Sequence, residues 1–361
     1  MNGFPNIFPR QELALLPTPV RPIPSIGDTL FMKEDSLSGP VYGGNKIRKL
    51  EFLLGEAMAE GRKTVITYGA AGSNHALATA VCCRQLGLRA ISILAPQTAS
   101  EHVRKNILMQ HVTGAELHLC SDYTGFPEAT KELTERCEAE DGLPPYIIPA
   151  GGSNATGALG FVAAALEMAE QIQPDVIYIP MGTGGTLAGL LVGLKLAGLK
   201  TRIEAVRVID PAYRNEGHIR KLCREICEKM LSRQPHADEH ADTAPMGFLH
   251  LLRDLHAEEK PLVNDSDIII RDGFFGEGYG IATPEAEQAV QLFREKEDVC
   301  LETTYTGKTA AALLHDLRSG TLDGQTVLYW NTLNSRDFTA ALSDVDFHDL
   351  PPAFHEYFKH R

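Results

Sequence analysis

The sequence has no apolar run as long as the roughly 20 residues that a membrane-spanning helix needs. Its first ten residues are mixed and include Pro5 and Pro9, so we expect no secretory signal. Positive charge is also scarce, since 34 Lys and Arg stand against 47 Asp and Glu and the net charge is −13. This balance argues against nucleic acid as the main partner, and the missing apolar runs predict a protein without a membrane partner.

The cysteines lack the regular spacing of a disulfide framework. There are seven of them, an odd number, and Cys82 and Cys83 are adjacent. We therefore predict reduced thiols and a cytoplasmic location. Cys223 and Cys227 lie four residues apart and share one face of a polar helix, but a metal site would need two further ligands nearby. We predict no metal site.

Strand-like and helix-like segments alternate along the 361 residues, a length typical of about two domains. The runs that we predict to be strands are residues 29–33, 64–68, 90–95, 176–180, 204–209, 267–270 and 326–330. The predicted helices are residues 46–60, 74–86 and 100–110. This alternation predicts an α/β fold of open, mostly parallel twisted sheets flanked by helices, with ligands at the C-terminal ends of the strands.

Residues 228–264 interrupt this alternation. They are polar, and Pro235 and Pro245 bracket a stretch with little helical patterning. We interpret the range as a surface insertion. The alternative is a metal site, because His236 and His240 have a spacing that can bind a metal ion on a helix.

The most informative segment is residues 43–50, where two glycines lead into a helix with Lys46 in its first turn. A lysine at a helix N-terminus and among other cations should have a lowered pKa, which an amine needs to form a Schiff base at neutral pH. The usual carbonyl partner is pyridoxal phosphate. The alternative is a glycine turn followed by a basic surface helix, because lysines are usually solvated.

Three further segments carry candidate chemistry at strand-to-helix junctions. Ser73, Asn74 and His75 begin a helix whose N–H groups suit a carboxylate or a phosphate, although Ser73 is also a natural helix cap. The glycine loop 182–186 follows a buried strand and predicts a phosphate site. It matches neither a P-loop nor the full dinucleotide fingerprint. Residues 303–308 form the third segment.

Two tyrosines lie in glycine-containing turns. Tyr305 belongs to the segment 303–308, and Tyr279 lies within residues 276–280. Each could supply an acid–base group or an aromatic wall, and each could equally be a packed loop residue.

Taken in order, these motifs resemble one family, that of D-cysteine desulfhydrase and 1-aminocyclopropane-1-carboxylate (ACC) deaminase. It belongs to the tryptophan-synthase-β-like, fold type II enzymes that use pyridoxal phosphate. The resemblance covers roughly residues 12–340. It rests on residues 44–50, 72–75, 151–160, 182–186 and 304–308.

The resemblance implies a role for each candidate residue. Lys46 is the Schiff-base lysine, Asn74 bonds the phenolic oxygen of the cofactor, and Thr306 lies near its pyridine nitrogen. The residues that hold the substrate carboxylate are Ser73, Asn74 and His75. Those that hold the phosphate are Gly182, Thr183, Gly184, Gly185 and Thr186. Tyr279 and Tyr305 flank the ring and the substrate. ACC deaminases have a glutamate at the Thr306 position, so the neutral Thr306 favours an unprotonated pyridine and β-elimination.

The chain departs from this family's pattern at two places. Gly72 replaces a glutamine before the serine–asparagine pair, and residues 331–334 read Asn-Thr-Leu-Asn where the family has His-Thr-Gly-Gly. Both places touch the implied pocket and bear on the choice of substrate.

The predicted function is therefore β-elimination and deamination of a small amino acid, D-cysteine or a similar one, giving a keto acid, ammonia and the leaving group. Alternatives are ACC deaminase, a β-replacement synthase, and a catalytically silent protein that binds pyridoxal phosphate. We predict a large domain of residues 1–48 and 159–361 and a small domain of residues 49–158, with the cofactor in the cleft between them. The resemblance also implies a homodimer.

Overall fold

The computed structural model describes residue 4 and residues 7–213, 215–232 and 244–359. They fall into two compact units. Unit 1 takes its described residues from Met1–Phe8, Ala14–Lys49 and Ser153–Ser335, and unit 2 from Pro9–Leu13, Leu50–Gly152 and Arg336–Arg361. The predicted domain bounds stay a prediction.

The strands follow the alternating pattern of the sequence. They are β1 (Val20–Pro22), β2 (Leu30–Glu34), β3 (Thr64–Ala70), β4 (Arg89–Ala95), β5 (Glu116–Leu119), β6 (Tyr146–Ile148), β7 (Val176–Met181), β8 (Arg202–Arg207), β9 (Ile270–Arg271) and β10 (Val327–Asn331).

The helices connect most of these strands. They are α1 (Asn45–Ala59), α2 (Asn74–Leu86), α3 (Glu101–Val112), α4 (Phe126–Asp141), α5 (Ala155–Gln171), α6 (Gly185–Leu196), α7 (Glu216–Ser232), α8 (Ala244–Ala257), α9 (Pro284–Glu297), α10 (Thr306–Arg318) and α11 (Thr339–Leu342). None of the described helices is long and apolar enough to span a membrane.

Unit 1 is built on a sheet with the strand order β1-β2-β10-β7-β8-β9. Only the edge pair β1–β2 is antiparallel among the described pairings, and the other neighbours run parallel. Every residue of β7 is buried, as expected for a central strand of a parallel sheet that is covered on both faces. The hydrophobic core around this sheet includes Met32, Tyr178, Phe293 and Tyr329.

Unit 2 contains a smaller sheet with the order β5-β4-β3-β6, in which all described pairings are parallel. Ile66, Ile91 and Ile93 of this sheet pack against Leu133 and Cys137 of α4. The prediction of an α/β fold with mostly parallel sheets and flanking helices is confirmed.

Two predicted strands have different bounds in the structure. The strand predicted at 204–209 is β8, Arg202–Arg207, and ends two residues earlier. The prediction for 267–270 is largely wrong, because Asp265–Asp267 is a short 3-10 turn and β9 begins only at Ile270. The carboxylate of Asp267 accepts the N–H of Asn264 at 2.8 Å, which closes this turn before the strand can start.

The range 228–264 does not begin as an insertion, because its first residues complete α7. Ile219, Leu222, Ile226 and Met230 form a buried stripe at helical spacing, so the helix continues to Ser232. Residues 244–257 then form α8. The metal alternative at His236 and His240 lies outside the described residues.

Candidate active site

The turn before α1 is packed tightly against the segment that follows β10. Gly44 has a φ of +86°, and a Cβ atom there would lie 2.8 Å from the carbonyl oxygen of Thr332, so only glycine fits. The N–H of Asn45 donates to the same carbonyl at 3.1 Å. The N–H of Gly43 donates to Oδ1 of Asn334 at 2.7 Å. These contacts fix the entry into α1, whose second residue is Lys46.

Lys46 is half-buried as a residue, and burial of its amine lowers the pKa to about 8. The sequence led us to expect neighbouring cations and the helix N-terminus as the cause of a lowered pKa, whereas the cause found for Lys46 is burial. The repulsion between the two lysines acts on Lys49 instead. Burial first, and the charge of Lys46 second, hold the pKa of Lys49 well below its usual range. A sizeable fraction of Lys46 is therefore a neutral nucleophile near pH 8.

Arg48 lies between these lysines in the sequence and anchors α1 from the other side. Its guanidinium donates to both carboxylate oxygens of Asp35 at 2.8 and 2.9 Å and to Glu167 at 2.9 and 3.0 Å. Lys33 also pairs with Glu167, and all four side chains are buried. Burial alone would raise the pKa of Glu167, but Arg48 and Lys33 lower it to about 2. The first turn of α1 is thus tied into the core by charge-assisted bonds.

The glycine loop 182–186 ends β7 and starts α6. Gly184 has a φ of +89° and offers no side chain to cap α6. The N–H of Gly185 donates to Oγ of Ser153 at 3.1 Å, and Nζ of Lys49 donates to the same oxygen at 3.3 Å. The hydroxyl of Ser153 also lies 2.6 Å from that of Thr183. α1, the start of α5 and the start of α6 therefore meet at Ser153.

This junction fits a phosphate group. The N-terminus of a helix carries a positive partial charge and N–H groups without intrahelical partners. A Cβ atom at residue 185 would lie 2.6 Å from Oγ of Ser153 and 3.0 Å from Nζ of Lys49, so the space beside this N–H exists only because residue 185 is glycine. The sequence analysis assigned no role to Ser153. Lys49 was only one of the cations expected beside Lys46, and its helical spacing from Lys46 was the available signal for a role.

Tyr305 and Tyr279 contact each other, and the flanking role of both stays a prediction. Their hydroxyl groups are in hydrogen-bond contact, and their rings lie edge to face with centroids 6.0 Å apart. Tyr305 also borders the glycine loop, because a Cβ atom at Gly182 would lie 3.7 Å from its ring. The buried amine of Lys308 donates to the carbonyl of Phe275 at 2.5 Å and so holds the loop that leads to Tyr279.

Glu302 is a residue that the sequence analysis missed. Its carboxylate accepts the N–H groups of Thr304, Tyr305 and Thr306 at 2.7–2.8 Å and thereby caps α10. The hydroxyl of Thr306 lies 3.1 Å from the same carboxylate and accepts the N–H of Glu302 at 2.9 Å. Residues 304–306 are thus fixed by one half-buried turn. The predicted strand-to-helix junction at 303–308 is wrong, because the segment joins α9 to α10. An acidic residue four positions before a helix was the only signal for Glu302.

Ser73, Asn74 and His75 lie in unit 2, at the start of α2. Ser73 is the helix cap, and its hydroxyl accepts the N–H of Ala76 at 3.2 Å. Asn74 is half-buried, and His75 is almost fully buried. The side-chain amide of Asn106 donates to Oδ1 of Asn74 at 2.9 Å.

The departure at Gly72 has a steric reason. A Cβ atom there would lie 2.7 Å from Cγ2 of Val103 and 3.1 Å from Oε1 of Gln97, so no longer side chain fits. The side chain of Gln97 contacts this turn instead, because its Oε1 accepts the N–H of Gly72 at 3.0 Å. A glutamine therefore contacts this turn from a different position in the chain.

Metal-binding geometry does not occur in the described ranges: no group of three or more His, Cys, Asp or Glu side chains there could hold an ion. All seven cysteines are free thiols. Burial raises the pKa of Cys227 to about 12 and also raises that of Cys223, so neither thiol is a thiolate near neutral pH.

Comparison with known proteins identifies the class to which this fold and this site belong. The sequence model of one family, described as pyridoxal-phosphate dependent enzyme, matches residues 12–332. The chain belongs to this family, and its cofactor is pyridoxal phosphate.

Solved structures agree with this assignment. A crystal structure of an ACC deaminase homologue is 31% identical, covers 92% of this chain and 93% of its own, and has a TM-score of 0.73. An L-serine ammonia-lyase from Rhizomucor miehei is 19% identical with a TM-score of 0.57, over 90% of this chain and 94% of its own. Threonine deaminase isoform 2 from Solanum lycopersicum is 18% identical with a TM-score of 0.58, over 92% and 83%. The last two share the fold.

Proposed function

We propose that this enzyme catalyses β-elimination and deamination of a small amino acid, D-cysteine or a similar one. The observation that carries this proposal is the geometry around Lys46. Its amine has a pKa of about 8 and lies one helical turn before Lys49, which reaches the start of α6. A nucleophilic amine beside a phosphate-binding helix terminus is the arrangement that pyridoxal phosphate requires.

Each group of residues has a separate task in this proposal. Lys46 would hold the cofactor through its carbonyl carbon. The phosphate would be held by the N–H groups of Gly182–Thr186, the hydroxyls of Thr183 and Thr186, and the side chain of Lys49. Asn74 would donate to the phenolic oxygen, and Thr306 would lie near the pyridine nitrogen. When bound, the cofactor accepts the electron pair released at the substrate α-carbon.

Proton transfer falls to the residues around the substrate. The freed amine of Lys46 is one candidate base for the α-proton, and its lowered pKa allows it to accept a proton near neutral pH. The hydroxyls of Ser73 and Tyr305 are the other candidates. Tyr279 holds the Tyr305 hydroxyl by a hydrogen bond, which orients it. The first-turn N–H groups of α2, with Ser73, Asn74 and His75, would bind the substrate carboxylate.

With D-cysteine the products balance as pyruvate, ammonia and hydrogen sulfide, with one water consumed. The β-carbon–sulfur bond breaks, and water hydrolyses the remaining enamine to the keto acid and ammonia. Thr306 supports this reading, because an uncharged partner at the ring nitrogen suits elimination of a good leaving group better than the opening of a cyclopropane ring.

An absorbance spectrum of the purified protein, before and after D-cysteine is added, tests this proposal. We expect a band near ~420 nm, typical of this cofactor bound to a lysine, which changes on addition while pyruvate and sulfide appear together. A protein without this band after incubation with pyridoxal phosphate would refute the role of Lys46. A band that D-cysteine leaves unchanged would refute the substrate and keep the cofactor assignment.

ACC deamination is the second candidate, because the solved structure that is 31% identical is of an ACC deaminase homologue. Supplying ACC and measuring a four-carbon keto acid with ammonia separates the two functions. A β-replacement synthase would instead form a new amino acid when a second nucleophile is supplied. A homodimer in the cytoplasm completes the proposal, supported by the family resemblance and by the free thiols.

A further inference from the structure

Asn106, on α3, is a buried side chain that contacts the start of α2. It is only 5% exposed. Its Nδ2 donates to the carbonyl oxygen of Gly72 at 2.8 Å and to Oδ1 of Asn74 at 2.9 Å, and lies 3.2 Å from Nε2 of His102.

These distances fix which way the Asn74 amide faces. The carbonyl of Gly72 can only accept, so the Asn106 atom beside it must be the nitrogen. A nitrogen there can only donate, so the Asn74 atom that faces it must be the oxygen. Amide orientations in proteins are settled by such networks, and here a backbone group supplies the fixed end. Asn74 therefore presents its NH₂ group, and not its oxygen, on its other side.

We propose that Asn106 is a positioning residue that makes Asn74 a hydrogen-bond donor towards the phenolic oxygen of the cofactor. This inference rests on the proposed function, which gives Asn74 that role. If the Asn74 amide were reversed, its oxygen would face an oxygen that carries negative charge, and the interaction would become repulsive. Asn106 excludes that orientation, because its own nitrogen would then face the nitrogen of Asn74.

A purely structural role is the competing explanation. Asn106 also ties α3 to the turn at Gly72, and its loss would leave that carbonyl without this donor. The two explanations differ in one respect. Only the positioning role requires that the effect of Asn106 on the cofactor pass through the side chain of Asn74.

The test is a double-mutant cycle on the enzyme loaded with pyridoxal phosphate, comprising Asn106→Asp, Asn74→Ala and both together. The readout is the midpoint pH at which the visible band of the bound cofactor titrates. An N–H donor on the phenolic oxygen withdraws charge from it, so loss of that donor raises the midpoint. We expect Asn74→Ala to raise it by about one pH unit, the equivalent of one net hydrogen bond.

Aspartate at position 106 accepts but does not donate, so it draws the NH₂ of Asn74 towards itself. We expect N106D to raise the midpoint by about one pH unit when Asn74 is present and by clearly less in the Asn74→Ala background. In the Asn74→Ala background, the change in midpoint pH caused by N106D measures the effect of the added charge alone. Asn264→Asp, at an exposed position of unit 1, provides the same chemical change and should leave the midpoint unaltered.

Equal steps in both backgrounds, or no step for N106D, would overturn the inference while the role of Asn74 stands. An unchanged midpoint in Asn74→Ala would overturn the role of Asn74 and the inference with it. Absence of the visible band in the unaltered protein would refute the proposed function itself. Unfolding of each variant without cofactor, followed by the fluorescence of Trp330, separates a loss of fold from these outcomes.

Discussion

The hydroxyl of Thr306 accepts the N–H of Glu302 at 2.9 Å and lies 3.1 Å from the carboxylate of the same residue. A carboxylate accepts hydrogen bonds, so the single hydrogen of the hydroxyl is available to it. A negative charge is therefore one hydrogen bond away from the residue proposed to face the cofactor ring. The same carboxylate caps α10 through three backbone N–H groups, which makes the position intolerant of a second acid.

We predict that Thr306→Glu destabilises the protein by about 1–3 kcal/mol, because it removes a donor and places like charges side by side. Thr306→Val is the matched control, which removes the hydroxyl without adding charge and should cost about 1 kcal/mol. Denaturant unfolding without cofactor measures both.

Glu302→Gln in the Thr306→Glu background should recover part of that loss, since it removes one of the two charges. If Thr306→Glu is as stable as Thr306→Val, or if the second substitution lowers stability further, the two carboxylates do not compete.

The rate at which Lys46 reacts with pyridoxal phosphate should depend on pH through the lowered pKa of its amine. Only the neutral amine attacks a carbonyl, and the pKa is about 8. The rate of capture of pyridoxal phosphate should therefore rise about tenfold per pH unit below that value and level off above it. Stopped-flow absorbance measures this rate.

Lys46→Ala should show no visible band at any pH, whereas replacement of the exposed Lys200 by alanine should leave the profile unchanged. A profile that continues to rise up to pH 10 would mean that the amine titrates as a solvated lysine does.

Lys49 should act on the phosphate and not on the carbonyl, because its amine bonds to Ser153 beside the start of α6. Lys49→Met should weaken binding of pyridoxal phosphate about 10–100-fold, the range for a hydrogen bond to a charged group. Pyridoxal, which lacks the phosphate, serves as the matched ligand and should bind the variant and the original protein equally. An equal loss for both ligands would assign Lys49 to the shape of the pocket instead.

Local signals made part of this site predictable. A glycine turn before a helix located Lys46 in the first turn of α1, and a glycine run after a buried strand located the start of α6. Both features can be recognised from consecutive residues. The cause of the Lys46 pKa shift could not be predicted in this way, because burial depends on which elements cover the amine.

The residues that support the site could not be found in this way. Ser153 reaches Gly185 across 32 positions, and Asn334 reaches Gly43 across 291. Such contacts are set by the strand order of the sheet, which periodicity does not reveal. The strand predicted at 267–270 failed for a related reason, since an apolar run after Asp267 was read without the turn that this carboxylate closes.

The buried pair of Arg48 and Glu167 should control stability in acid. The folded-state pKa of Glu167, about 2, lies below its ordinary value of 4.5, so its contribution is present above 4.5 and is lost as the pH falls towards 2. Glu167→Gln should lower the free energy of unfolding by about 3 kcal/mol at pH 7. The difference between the variant and the original protein should become smaller as the pH falls from 4.5 towards 2.

Glu140→Gln is the matched control, because Glu140 pairs with Arg89 at the surface and should contribute at most about 1 kcal/mol. Unfolding free energies at pH 7 and pH 3.5 provide the comparison. Equal deficits for Glu167→Gln at the two pH values would show that the ionised carboxylate is not what stabilises this core.

The segment after β10 should support cofactor binding through Asn334. Its Oδ1 accepts the N–H of Gly43, in the turn that carries Lys46 into α1. Asn334→Ala leaves that N–H without this acceptor and should cost about 1–3 kcal/mol in unfolding free energy, with weaker binding of pyridoxal phosphate. Asn334→Asp keeps an acceptor oxygen and should stay close to the original protein in both measurements. If the two variants behave alike, the Asn-Thr-Leu-Asn segment does not hold this turn through Asn334. If only the alanine variant loses the visible band, the segment that departs from the family pattern is part of what holds Lys46 in place.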